Sequence, residues 1–326
     1  MISLLDEAWR LEPFVPPFRF SAFFSPEDTL LCVCAAESAR RQFHRRNGTR
    51  KEPLCVAELT SGSGLVGLHL LRDDAHATLL GLDIDEEAVD VSTQNAQVLG
   101  LSDRSRFVRS DLWSEATLRL LETDQPHLLV CNPPYVPEPP GMSIQLEAGA
   151  GPQGTAHLLR TLEIAQRVQP DVLALSWCSL SDPASVVATA EDCGYTLTDL
   201  FVTAIADGEY SGSVHSYLRD LDNCYINEDP QTLAILAPDG SARFAFLLFA
   251  GVWREAGSRK REAVVQHDRY DTADLVRAMC EDFARDGLAY EPRFPLPSSP
   301  FPLFHPYILS RQDELHLRVM LHGALT

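Results

Sequence analysis

The sequence predicts an α/β protein built on a doubly wound, mostly parallel sheet of seven strands, the last of them antiparallel. Two observations predict this class. From residue 54 onward, short apolar runs alternate with amphipathic stretches, which is typical of parallel strands covered by helices. A glycine-containing turn also joins the first apolar run directly to an amphipathic stretch. With 326 residues, of which 45% are hydrophobic and 22% charged, the chain can bury a large core.

Seven apolar runs in succession predict the strands. They span residues 54–60, 78–84, 106–109, 127–131, 172–178, 196–205 and 243–253. The amphipathic stretches between them predict helices near residues 65–72, 86–99, 157–168 and 184–193. The turn sequence Pro238-Asp239-Gly240 lies between two apolar runs, so we expect a hairpin there, with the final strand as its second arm.

Two extensions flank the predicted sheet domain of residues 51–255. In the first, residues 1–25 are rich in Pro and Phe and predict an extended lead-in. A helix then begins at Ser25-Pro26 and ends at Asn47-Gly48. In the second extension, residues 256–326, we expect an amphipathic helix at 272–286 and a proline-rich tail from 290 to 307.

The composition limits the classes of partner. A formal net charge of -19 disfavours a long footprint on a phosphate backbone. No apolar run reaches the roughly 18 residues that span a bilayer, and the first 25 residues lack a secretion signal. Eight scattered cysteines without a CxxC pair predict reduced thiols, with neither a metal site nor a disulfide framework. We therefore expect a cytoplasmic protein that does not bind membranes.

A strand, a glycine turn and a helix follow one another in AELTSGSGLVGLHL. Backbone N–H groups at such a helix start can hold a ligand, and Gly62 and Gly64 permit its close approach. Asp83, at the end of the next strand, suits a ribose diol. Gly67 completes a GxGxxG pattern typical of dinucleotide sites, and alone it predicts only close helix–strand packing. S-adenosylmethionine (SAM) is the better match, because Glu58 can then accept the methionine ammonium.

The segment SDLW follows the third predicted strand. Asp111 there can accept a hydrogen bond from the adenine amino group or cap the following helix, and the two roles are compatible. Thr60, Ile84, Leu112 and Asn132 complete the predicted cofactor site.

The stretch VCNPPYVPEPP ends the fourth predicted strand with an asparagine, two prolines and a tyrosine. The side-chain oxygen of Asn132 and the backbone carbonyl of Pro133 can both accept from one planar NH2 group. Pro133 and Pro134 fix the direction of these acceptors, and Tyr135 can lie against the flat face of the same group. The nitrogen lone pair then points at whatever lies in front of it. If that is a sulfonium methyl, methyl transfer follows from positioning alone, without a strong base.

These motifs, over about residues 54–137, resemble class I SAM-dependent methyltransferases of the NPPY type, and most of all the HemK-like protein-glutamine N5-methyltransferases. Weaker similarity extends the resemblance to roughly residues 18–205. It implies a Rossmann-like fold, SAM as cofactor and a glutamine amide as target. The implied SAM-binding residues are Glu58, Gly62, Gly64, Asp83 and Asp111, and the implied amide-binding residues are Asn132, Pro133 and Tyr135.

The chain departs from this family in two places. Thr60 stands where the family usually has a glycine, which leaves open whether SAM binds as tightly. The N-terminal region is shorter than the family's substrate-docking domain, and the tail beyond residue 260 has no recognised counterpart.

Three functions therefore remain open. We expect methylation of a protein glutamine, with an activating subunit undetermined. The same acceptors also suit the amino group of adenine in RNA or DNA, flipped out onto Tyr135. Residues 40–51 are rich in basic residues, although a solvated helix end explains them as well. The third function is a SAM-binding scaffold without catalysis. We expect surface or core roles for His157, His215 and His305, and residues 207–230 are either a substrate lid or a connection.

Overall fold

The computed structural model describes residues 2–20, 24–47, 53–255, 272–289, 303–308 and 310–322. Within these ranges one sheet contains nine strands. The strands are β1 (Ile2–Ser3), β2 (Cys55–Leu59), β3 (Thr78–Asp83), β4 (Ser105–Arg109), β5 (Leu128–Cys131), β6 (Val172–Cys178), β7 (Tyr195–Ala206), β8 (Ala245–Glu255) and β9 (Leu303–Ile308). Their order across the sheet is β1-β9-β7-β8-β6-β5-β2-β3-β4.

Helices cover both faces of the sheet. They are α1 (Pro26–Asn47), α2 (Leu65–Asp73), α3 (Glu86–Val98), α4 (Glu115–Asp124), α5 (Ala156–Val168), α6 (Pro183–Asp192), α7 (Glu209–Ser213), α8 (His215–Asp220), α9 (Pro230–Leu236), α10 (Thr272–Asp286) and α11 (Arg311–His322). Helix α1 packs against α2 and across β6, β7 and β8, whereas α4, α5, α6 and α10 contact one another in succession. None of the described helices combines the length and the hydropathy that a membrane crossing requires.

The doubly wound sheet is confirmed. The seven predicted strands correspond to β2–β8, and β8 runs antiparallel to its neighbours β6 and β7 while the other described pairs are parallel. Two strands extend this core: β9 pairs in parallel with β7, and β1 pairs in parallel with β9. Strand β9 comes from beyond residue 255, so the sheet continues past the expected domain boundary. The boundaries at residues 50 and 255 stay predictions.

The expected hairpin around residues 238–240 is wrong. The apolar run before the turn forms α9, and only the run after it forms a strand, β8. The cause is local: Asp229 accepts a hydrogen bond from the backbone N–H of Thr232 (3.0 Å), and Pro230 occupies the first helical position. These capping signals outweigh the apolar run's resemblance to a strand.

The extended lead-in is also corrected in part, because residues Leu4–Leu11 form a 3-10 helix that buries Leu4 and Leu11. The predicted start of α1 is supported by Ser25, whose hydroxyl accepts from the backbone N–H of Asp28 (3.4 Å). Gly48, the predicted end of that helix, lies outside the described residues, as does most of the proline-rich tail from 290 to 307.

Parallel pairing brings the ends of β2, β3 and β5 into line. Leu59 is in register with Leu82 on one side and with Cys131 on the other. The residues that follow these positions therefore lie side by side at one edge of the sheet, where open α/β sheets bind their ligands. Every residue of β6, beside β5, is buried, so this edge rests on a rigid core.

Candidate active site

The loop after β2 uses its own backbone N–H groups internally. The N–H of Gly62 donates to Oδ2 of Asp83 (2.8 Å), and that of Gly64 donates to the carbonyl of Ser61 (2.7 Å). The N–H of Gly67, in the first turn of α2, donates to Oε2 of Glu58 (3.1 Å). Gly62 and Gly64 have φ values of 50° and 74°, which glycine adopts readily. The turn is thus stabilised by acidic side chains from the strand ends.

Thr60 opens this loop in a left-handed conformation, with φ of 51°. That is unusual for a β-branched residue and costs roughly 1–2 kcal/mol. Its hydroxyl lies 2.6 Å from the carbonyl oxygen of Leu59 and 3.1 Å from that of Asn132, and can donate to either. The side chain therefore links the loop after β2 to the segment after β5.

A cavity of about 200 Å³ opens beside this loop. Seven predicted cofactor residues line it: Thr60, Gly62, Asp83, Ile84, Asp111, Leu112 and Asn132. Glu58, in β2, and Gly64, at the end of the loop, do not line it. Residues without a predicted cofactor role also contribute, among them Trp113, Leu146, Glu147 and His157. The described lining residues include four acids, Asp83, Asp85, Asp111 and Glu147, but neither Lys nor Arg.

Glu58 is almost completely buried. Burial raises the pKa of its carboxyl to about 8, although the hydrogen bond from the N–H of Gly67 opposes this rise. A Cβ added to Gly67 would lie 2.6 Å from Oε2 of Glu58 and from Cδ1 of Leu79, so this glycine permits close packing of α2. The ammonium contact expected for Glu58 stays a prediction.

The two other predicted acids do line the cavity. Asp83 accepts from the N–H groups of Gly62 and Asp85 (3.0 Å for the latter), and burial raises its pKa. Each oxygen retains a lone pair that a ribose hydroxyl can use. Asp111 is exposed and accepts from the N–H of Trp113 (2.9 Å). Helix α4 is capped by Ser114 instead of Asp111, because Ser114 accepts from the N–H of Thr117 (3.1 Å).

The outer wall of the cavity is aromatic. The ring of Trp113 is half exposed and meets His157 edge-to-face, with ring centroids 4.8 Å apart. Burial lowers the pKa of His157, so its ring is neutral at neutral pH. A surface or core role was expected for His157, and the structure places it in the cavity wall at the start of α5. The only sequence signal was its position shortly after the NPPY segment.

A second and larger cavity, of about 700 Å³, lies on the other side of the NPPY segment. Asn132, Pro134 and Glu147 line both cavities, so these residues form the junction between them. Pro133 and Tyr135 line only the larger one. Its other walls come from the start of α1, the region around α7, and α11. The structure thus brings all four NPPY residues to one place.

Asp28, in the first turn of α1, is buried in the wall of the larger cavity. The hydroxyl of Tyr135 donates to Oδ2 of Asp28 (2.6 Å). The side chain of Asn132 is close enough to the Asp28 carboxylate to lower its pKa. Burial raises the pKa of Asp28 to about 6, and the interactions with Tyr135 and Asn132 oppose the rise. No sequence signal identified Asp28, which precedes Asn132 by about 100 residues.

Asn132 has one free acceptor. Its Oδ1 atom is buried and has no hydrogen-bond partner within the part of the chain that the structure describes. A buried polar group left without a partner costs about 1–3 kcal/mol. Asn132 lines both cavities, so a ligand that reaches this oxygen and donates a hydrogen bond would remove the cost.

Residues 207–230 form α7, α8 and part of α9, and they contact the segment after NPPY. Tyr210 donates to Glu147 (2.9 Å) and Tyr217 to the carbonyl of Pro152 (2.9 Å). The region therefore forms part of the wall of the larger cavity. His215 pairs with Glu228 (2.7 Å) and lines neither cavity. The side chain of His305 lies outside the described residues.

The described part of the basic stretch 40–51 is largely paired with acids. Arg41 contacts Glu37 (3.0 Å), and Arg46 contacts Asp171 (3.5 Å). His44 lies 2.7 Å from Asp74. The rest of the stretch, from residue 48 to 51, lies outside the described residues. In the described part, these pairings favour a solvated helix end over a surface for nucleic acid.

Comparison with known proteins gives matches to the middle part of the chain. Residues 49–142 match the methyltransferase small domain. A release factor glutamine methyltransferase from Leptospira interrogans is 41% identical over 85 residues, covering 25% of this chain and 28% of that protein. One from Bradyrhizobium diazoefficiens is 36% identical over 144 residues, covering 43% of each chain. The chain thus spans less than half the length of these relatives.

Among solved structures, a putative RNA methyltransferase from Pyrococcus horikoshii aligns over 79% of this chain and 99% of its own, with a TM-score of 0.44 and 13% identity. The resemblance to HemK-like class I methyltransferases is confirmed for the middle of the chain by the family match and the curated relatives. These matches support a SAM-dependent methyltransferase domain, with S-adenosylmethionine as its cofactor.

Proposed function

Because residues 49–142 are those of a class I methyltransferase domain related to the HemK-like enzymes, we propose that the chain transfers a methyl group from SAM to the side-chain amide of a protein glutamine. The observation that carries the proposal is the buried Oδ1 atom of Asn132, an acceptor without a partner among the described residues, in a residue that lines both cavities. A planar NH2 group from the larger cavity would satisfy this atom and face the smaller one.

Electrostatics supports a cationic cofactor over a dinucleotide. A dinucleotide presents a pyrophosphate to free N–H groups of a glycine loop. Here the N–H groups of Gly62 and Gly64 already donate within the protein, and acids predominate among the lining residues. Phosphate would be repelled by these carboxylates, whereas a sulfonium would be attracted.

Asp83 and Asp111 fit the two ends of a nucleoside. We assign Asp83 to the ribose diol and Asp111, beside Trp113, to the adenine amino group, because both line the smaller cavity. Ile84 and Leu146 are exposed in this structure and line the same cavity, so a bound adenine would cover apolar surface there.

Bound SAM supplies an electrophilic methyl group on a positively charged sulfur. The chain's own contribution is positioning. Oδ1 of Asn132 and the carbonyl of Pro133 accept from the two N–H bonds of the amide, which leaves the nitrogen lone pair directed toward the smaller cavity. Tyr135 lines the larger cavity beside the amide. The amide nitrogen releases one proton on methylation, and Glu147, which lines both cavities, is a carboxylate available to accept it.

The larger cavity favours a protein substrate over nucleic acid. Five acids and three arginines line it. Two of the arginines are engaged with the wall: Arg311 donates to the carbonyl of Asp207, and Arg243 to that of Gly212 (2.7 Å). A phosphate backbone would thus meet a net excess of negative charge.

The test is methyl transfer from labelled SAM to three separated fractions: ribosome-associated proteins including unmethylated release factors, total RNA, and unmethylated DNA. We expect label in a protein and a methylated glutamine in its peptide mass map. The Asn132→Ala variant should lose transfer while its SAM affinity, measured by calorimetry, is retained. Label in RNA or DNA would move the target to a base amine. Transfer that persists in Asn132→Ala would contradict the assigned role of this amide.

A further inference from the structure

The amide of Asn132 can occupy two orientations that differ by a half turn. In one, the oxygen is directed at the substrate and accepts hydrogen bonds. In the other, the nitrogen takes that place and donates them. The two orientations have nearly the same shape, so packing alone does not select between them. Recognition of an NH2 group requires the first.

Asp28 distinguishes the two orientations. An ionised carboxylate only accepts hydrogen bonds, so it stabilises an Asn132 whose NH2 group faces it and repels one whose oxygen faces it. Oδ1 of Asn132 has no partner among the described residues, and the Asn132 side chain lowers the pKa of the Asp28 carboxylate, as an NH2 group that faces it would. Hydrogen bonds to charged groups are among the stronger ones in proteins, so this contact can hold one orientation.

Tyr135 fixes Asp28 in turn. Its hydroxyl donates to Oδ2 of Asp28 at 2.6 Å, which is a short, charge-assisted distance. Helix α1 therefore meets the NPPY segment through one carboxylate, which accepts from Tyr135 and interacts with the side chain of Asn132. Asp28 is also anchored by the hydroxyl of Ser25 through its backbone N–H (3.4 Å).

We propose that Asp28 is a positioning residue that fixes the amide orientation of Asn132, so that the site selects an NH2 donor over a carboxylate at the same place. Asp28 lies outside residues 49–142, the part of the chain that matches the methyltransferase small domain. The inference rests on the proposed function, because glutamine and glutamate differ in this one group.

The decisive variant is Asp28→Asn. Its new amide can accept from Tyr135 with its oxygen and donate to Asn132 with its nitrogen, which favours the flipped Asn132. Since the replacement is isosteric and removes a buried charge, we expect the variant to fold. A matched control is Asp199→Asn, a buried acid that accepts from Gln42 (3.0 Å) and lines neither cavity.

The measurement compares two affinities of the SAM-bound enzyme. One is for unmethylated release factor, and the other is for release factor in which the glutamine that becomes methylated is replaced by glutamate. We expect wild type and Asp199→Asn to bind the glutamine form about tenfold more tightly, the value of one hydrogen bond of about 1.4 kcal/mol. In Asp28→Asn the ratio should fall to about one or below, with SAM affinity within about twofold of wild type.

Three outcomes separate the possibilities. If wild type neither binds nor methylates the glutamine form, the proposed function fails. If wild type methylates it and Asp28→Asn keeps the tenfold ratio, the proposed function stands and the role of Asp28 is refuted. Equal weakening of both forms in Asp28→Asn would indicate a purely structural residue and would also refute it.

Discussion

The buried carboxyl of Glu58 makes the stability of the cofactor-free protein depend on pH. Its pKa is raised from 4.5 to about 8 by burial, so the folded state binds more protons than the unfolded state between these values. Stability is therefore unaffected below pH 4.5, falls as pH rises through the interval, and is lowest above pH 8. The slope is about 1.4 kcal/mol per pH unit at most.

The Glu58→Gln variant isolates this effect. The Gln side-chain oxygen can accept from the N–H of Gly67 as the protonated carboxyl does, so we expect the two stabilities to differ least at the acid end of the range, near pH 5. From pH 6 to pH 8 the wild type should lose about 2–3 kcal/mol relative to the variant, or roughly 4–6 °C in Tm for a chain of this size.

The assay is thermal unfolding without SAM, followed by circular dichroism, at half-unit steps from pH 5 to pH 9. The pKa of Asp28 is also raised by burial, but its contribution is common to both proteins and cancels in the difference. Parallel curves for wild type and Glu58→Gln over the whole range would refute a buried, protonated Glu58.

Three further predictions concern the cofactor side of the site. Asp83→Asn should weaken SAM binding about 10- to 100-fold in calorimetry, because a charged acceptor for the ribose is lost, whereas the exposed Asp103→Asn should not. Thr60→Val keeps the branched side chain at positive φ but removes its hydroxyl, so the free energy of unfolding measured in urea should fall by about 1 kcal/mol. Thr60→Ser keeps the hydroxyl, and an equal loss in that variant would contradict this reasoning. Trp113→Ala should weaken SAM binding about fivefold, and the equally exposed Trp9→Ala serves as its control.

The middle of the sheet was predictable from sequence because strands β2, β5 and β6 are almost completely buried on both faces. Strand β6 was expected at 172–178 and is observed at Val172–Cys178, all seven residues of which are buried. A continuous apolar run of this length is typical of a buried strand. Helix α9 was missed because an apolar run of seven residues suits a strand or a helix equally, and its capping by Asp229 decides between them.

The cofactor side of the site was predictable for a related reason. In a parallel sheet, residues at the ends of neighbouring strands converge, whatever their distance along the chain. Thr60, Asp83 and Asn132 each follow or end such a strand, and the register of β2 with β3 and β5 brings them together. Asp28, Glu147 and His157 come from helices and a loop. Their positions depend on tertiary packing, which leaves no periodic pattern in the sequence from which they could be predicted.

The energetic cost of the site argues for catalysis over a SAM-binding scaffold. Three local features oppose folding: Thr60 at positive φ, Oδ1 of Asn132 without a described partner, and buried carboxyls at Asp28 and Glu58. Each costs on the order of 1–3 kcal/mol and would be relieved by a simple substitution. Cofactor binding explains strain in the loop after β2, but it does not require Asp28 or an unsatisfied Asn132 oxygen beside the larger cavity. Those two features are useful only if a second molecule, one that donates a hydrogen bond, enters from that side.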